Sequence, residues 1–93
     1  MSGLVQRLKS RIIFYDVLAG QNAYGVKAYF DGCQASEDPY ECSVLNSHFH
    51  MQKDAEGFAV WLSENNALPI QIEELAEDFS KSLSAYRAIF EKN

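Results

Sequence analysis

The chain has 93 residues, with eight Lys and Arg against thirteen Asp and Glu, a net charge of −5 and 47% apolar residues. That length fits one domain, residues 1–93, and the small core it can build leaves modest stability or stability shared with a partner. The acidic balance opposes general nucleic-acid binding. No apolar run reaches the roughly 18–20 residues needed to span a bilayer. Residues 1–5 lack the basic-then-apolar order of an export signal, so the sequence points to the cytoplasm, where thiols stay reduced.

Taken in chain order, Leu4, Leu8, Ile12 and Tyr15 recur at helical spacing, with Val5 and Ala19 widening the stripe. They predict a first helix that Ser2 caps and Gly20 stops. Tyr24, Ala28, Tyr29 and Cys33 predict a shorter second helix. In it Gly25 and Gly32 require close packing against a neighbour. Residues 36–40 read as a turn around Pro39. A third helix follows over residues 41–64 with His48, Met51, Ala55, Phe58 and Leu62 in one row, and it is kinked or broken near Gly57. Asp54 offers a cap for a fresh start there, and Asn65 and Asn66 offer a stop. Beyond Pro69, the residues Ile72, Leu75, Phe79, Leu83, Tyr86 and Phe90 give the last helix one apolar seam. Glu73, Glu74, Glu77 and Asp78 lie in its first turns and Arg87 and Lys92 near its end. Strand signals are confined to residues 12–15 and 70–72. The expected fold is therefore all-α, a compact bundle of four main helices.

Cys33, Cys42, His48 and His50 are the only soft-ligand cluster, but their spacing lacks the close pairs of a zinc site, and no metal or other cofactor is expected. A Cys33–Cys42 disulfide across the Pro39 turn is sterically conceivable; the inferred compartment argues against it. Cys42 with His48 lacks an orienting acid at useful spacing, and no glycine-rich phosphate loop is present. The expectation is that the chain is not an enzyme.

Charge is split along the chain. Residues 1–30 carry Arg7, Lys9, Arg11 and Lys27 against Asp16 alone, a net of +3, whereas residues 31–93 sum to −8. A polyanion contact is thus confined to Arg7, Lys9, Arg11 and Lys27. The acidic run Glu73, Glu74, Glu77 and Asp78 offers an electrostatic contact to a basic partner, with Tyr24, Tyr29 and Tyr40 as interface anchors. The surplus of aromatic residues also admits a homodimer through the aromatic-rich first third or the last helix.

Ala28 and Tyr29, Gly32, Ala35, Pro39 and Tyr40, then Gly57 and Phe58, give residues 28–61 a pattern that resembles the small proteins related to ribosome modulation factor. The resemblance implies a ribosome-binding role and a shared structural role for Tyr29, Gly32, Pro39, Tyr40, Gly57 and Phe58. It assigns no functional site. The function expected from the sequence is that of a small non-enzymatic regulatory or inhibitory protein of bacterial or phage type. It would act by binding another macromolecule, a protein first. The alternative is a ribosome- or RNA-associated modulator using the basic first helix.

Overall fold

A computed structural model of the chain describes the backbone of residues 3–91 and the side chains of residues 3–81. It overturns the all-α expectation. The first half forms an antiparallel sheet in sequential order, with β1 over Gly3–Ser10, β2 over Ile13–Ala19, β3 over Tyr24–Phe30 and β4 over Cys42–Phe49. Helix α1 (Gln52–Glu64), a single 3-10 turn at Pro69–Gln71 and helix α2 (Ile72–Glu91) follow. The architecture is mixed α/β with two helices in place of four.

The physical reason for the difference lies in one bulge and in four-residue spacings that a strand and a helix share. Between Leu4 and Gln6 the β1–β2 register slips, so that Val5 and Gln6 together face Val17. An extra residue in a strand changes a period of two into a local spacing of three. Val5 and Leu8 both face the core at this helix-like interval. In β4 the register slips again, because Leu45 pairs with Val26 and Phe49 with Tyr24. Leu45 and Phe49 are four apart, as on a helix, yet both belong to a strand packed on the core. The β3 residues Tyr24 and Ala28, read as a second helix, are two strand positions on one face.

Gly25 makes the β4 bulge possible. A Cβ there would stand 2.3 Å from the Leu45 carbonyl oxygen and 3.3 Å from the Asn46 Cα. Only glycine admits backbone at that approach. The expected close packing at Gly25 is thus present, against a strand and not a helix. Gly32, by contrast, serves a turn, with φ of 86°.

The helical half follows its sequence signals. Ala55, Phe58 and Leu62 of the predicted row are buried in α1, so the 41–64 region is half strand and half helix. Its break falls near residue 50, not at Gly57, which lies within α1. Asn65 closes α1 and Asn66 adopts φ of 51°, the left-handed conformation expected of a stop. Residues 70–72, which carry a strand signal, belong to the 3-10 turn and the start of α2. In α2 Ile72 is buried, and Leu75 and Phe79 pack on the core, as the seam predicts. The side chains of Leu83, Tyr86, Arg87 and Phe90, together with Ser2 and Lys92, lie outside the described residues.

Both helices cover one face of the sheet. The core joins Ile13, Tyr15, Val17, Val26 and Ala28 from the strands to Ala55, Phe58, Ala59, Leu62, Ile72 and Ala76 from the helices. Phe49, Phe58, Trp61 and Phe79 form an aromatic cluster with ring centroids 5.1–6.3 Å apart. Tyr15 is fully buried, and its hydroxyl donates to the Ala67 carbonyl at 2.6 Å. No described helix is long and apolar enough to cross a membrane.

Candidate functional site on the open sheet face

Strand alternation sends every second side chain to the face that the helices leave uncovered. The pairing sets these residues in rows across the strands. One row runs Leu4 and Leu18, the next Arg7, Asp16, Lys27 and Val44, and the last Lys9, Phe14, Tyr29 and Cys42. Three of the four cations named for a polyanion contact, Arg7, Lys9 and Lys27, therefore share one surface. Arg11 does not. It sits in the β1–β2 turn with φ of 56°.

Asp16, the single acid of the first 30 residues, is only 5% exposed and lies at the centre of this face. Arg7 grips it side-on, Nε to Oδ1 at 2.8 Å and Nη2 to Oδ2 at 3.1 Å. The Tyr29 hydroxyl donates to Oδ2 at 3.0 Å. A buried carboxylate needs such partners, because its desolvation is costly when it is left alone. The contact with Asp16 raises the pKa of the Arg7 guanidinium, first through the hydrogen bond and then through charge. Burial chiefly, and then the Asp16 hydrogen bond, raises the Tyr29 phenol.

Phe14 and Tyr29 stack with centroids 5.4 Å apart and planes inclined by 21°. Cations surround the pair. Lys9 Nζ is 5.1 Å and Arg7 Cζ 5.9 Å from the Phe14 centroid, and Lys27 Nζ is 5.3 Å from that of Tyr29. The β3–β4 connection closes over the end of the face. The Gln34 carbonyl accepts from Lys27 Nζ at 2.6 Å and from the Cys42 thiol at 3.8 Å. Leu4 and Val44 remain exposed, at 53% and 38%.

The remaining site expectations separate. Tyr24 faces the core, Tyr29 is locked to Asp16 on the open face, and Tyr40 is exposed in the β3–β4 connection, so the three do not make one anchor set. Glu73, Glu74, Glu77 and Asp78 are exposed along α2, on the helical side of the sheet. Cys42, paired with Tyr29, and His48, next to Phe49 which pairs with Tyr24, sit towards opposite ends of β4, a distance of roughly 15 Å along the sheet. Cys42 contacts Gln34, while the His48 ring nitrogen bonds Ser80 Oγ at 3.0 Å. Cys33 and Cys42 are both free thiols, and burial above all raises the pKa of Cys33, with Glu41 adding to it. Among the described residues no group of three or more His, Cys, Asp or Glu converges as a metal site.

Sequence reasoning missed Phe14, Asp16, Leu4, Leu18 and Val44 as members of a surface. The available signal was the alternation of Ile13, Tyr15 and Val17 with Phe14, Asp16 and Leu18, which places two sets on two faces. No family model, no curated protein and no solved structure matches the chain.

Proposed function

We propose that the chain is a small non-enzymatic binding protein that regulates or inhibits another macromolecule by seating it on the open sheet face. The observation that carries this reading is the grouping of Arg7, Lys9 and Lys27 around the Phe14–Tyr29 stack, on the side of the sheet no helix covers. Arginine and aromatic residues concentrate binding energy at interfaces, and cations at the surface steer an acidic partner. A protein is the first partner class. An RNA or ribosomal contact is the second, favoured by the convergence of three of the four predicted polyanion residues on this face.

The test is capture from an extract of the native source by the wild-type chain and by a Lys9→Glu, Lys27→Gln variant. Glutamine is chosen at 27 because an acid there would face Asp16 across the strands. Circular dichroism establishes that the variant folds. The reading expects at least a tenfold loss of the retained macromolecule. Retention that survives this variant but is lost on Glu73→Lys, Glu77→Lys would move the contact to α2 and overturn the open-face reading.

A further inference from the structure

We infer that the occupant of the open face is an acidic segment of a protein partner, with carboxylates set among apolar side chains; this rests on the open-face reading above. The argument starts from Arg7. Its Nε and one side of Nη2 are spent on Asp16. The planar guanidinium then directs Nη1 and the second Nη2 hydrogen away from that carboxylate. Half of the side chain is exposed, at 51%. Asp16 therefore holds a forked donor in place before any partner arrives, which lowers the ordering cost of binding a second carboxylate.

Lys9 supplies the second cation. It shares the Phe14 ring with Arg7 and has no carboxylate partner among the described residues. Two like charges beside one ring, with the local acid already committed to one of them, leave a place for an external anion. Around this centre stand exposed Leu4 and Val44 and half-buried Leu18. These apolar groups match a protein segment and offer nothing to a sugar–phosphate backbone. The Tyr29 ring, 4% exposed, gives no free surface on which a base could stack, and the half-buried Phe14 ring already carries Arg7 and Lys9 against it.

A second copy of the chain fits less well. Its exposed acids Glu73, Glu74, Glu77 and Asp78 alternate with Ile72, Leu75 and Ala76, which turn to their own core, so among the described residues only Leu68 and Ile70, just before α2, are large exposed apolar groups close in sequence to that acidic run.

The experiment selects a phage-displayed library of random dodecapeptides on the folded chain and measures the synthesised winners by fluorescence anisotropy. Parallel arms use a U20 oligonucleotide and sedimentation velocity of the chain alone. The expected result is enrichment of peptides combining Asp or Glu with Leu, Ile or Phe. Their affinity should fall at least tenfold on Lys9→Glu, and at least tenfold when their acids are changed to amides. Absence of enrichment, or winners without acids, overturns the inference. Binding of U20, or self-association, that is lost on Lys9→Glu overturns the protein segment as occupant while leaving the open face as the contact surface. Acidic peptides that bind Lys9→Glu, Lys27→Gln as tightly as the wild type overturn both.

Discussion

Arg7 on β1 and Asp16 on β2 form a side-on ion pair directly across the strands, and Asp16 simultaneously accepts from Tyr29 on β3. One buried carboxylate thus ties three strands on the face without helices. Asp16→Ala leaves the buried Tyr29 hydroxyl without its acceptor and is expected to destabilise by about 1–3 kcal/mol in urea unfolding. Asp16→Asn retains an acceptor for Tyr29 and should cost less than the alanine. Equal losses for the two variants would contradict the role assigned to the hydroxyl.

Gly25 and Gly57 predict opposite outcomes. Alanine at 25 places a methyl 2.3 Å from the Leu45 carbonyl, and backbone must shift to admit it. The expected loss is about 2–3 kcal/mol. Alanine at 57 meets only Phe79 at an ordinary 3.8 Å and lies inside α1. The gain there is about 0.5–1 kcal/mol, from helix propensity. Thermal melts of both variants check the pair.

Tyr15 makes stability sensitive to alkali. Burial pushes its pKa up to about 12, above the usual phenol value of 10.0. Below pH 10 the phenol is neutral in both states and the contribution is fully present. As pH rises from about 10 to 12 the unfolded chain releases the proton first, and roughly 2–3 kcal/mol is lost. Tyr15→Phe should lose about 1–2 kcal/mol at pH 7, because the buried Ala67 carbonyl loses its donor. It should also show a shallower decline between pH 10 and 12. Urea titrations at pH 7, 9, 10 and 11 measure both effects.

Cys33 is predicted to alkylate more slowly than a free cysteine at neutral pH, since burial and Glu41 favour its thiol form. Cys42, buried beside Gln34, should be protected until the β3–β4 connection opens. Mass spectrometry of iodoacetamide-treated protein at timed intervals reads the two sites separately. Modification of Cys33 at the free-thiol rate would contradict its placement against Glu41.

The helical half of the fold was legible because one face of each helix is buried. Ala55, Phe58 and Leu62, and then Ile72, Leu75 and Phe79, repeat at helical intervals without interruption. The sheet was not legible, for reasons specific to its strands. The bulge at Val5 and Gln6 gives β1 a helix-like spacing, while pairs four apart, such as Tyr24 and Ala28 or Leu45 and Phe49, share one face in a strand as they do on a helix. In β2 Asp16 is buried on the face opposite Tyr15 and Val17, so burial does not alternate. Charge counting alone grouped Arg7 and Lys9 of β1 with Lys27 of β3, two strands separated by β2, and it also included Arg11, which the turn places elsewhere. The acid beneath them could be assigned only once register paired Arg7 with Asp16 and Asp16 with Lys27. Tyr24, Tyr29 and Tyr40 were grouped by residue type, and strand parity separates the first two.

The most direct measurement is amide hydrogen exchange of the chain with and without a saturating captured macromolecule. Binding on the open face predicts slowed exchange along the outer edge of β1, around Arg7 and Lys9, with α2 residues 73–78 unchanged. Protection confined to 73–78, with β1 exchanging as in the free chain, would contradict it.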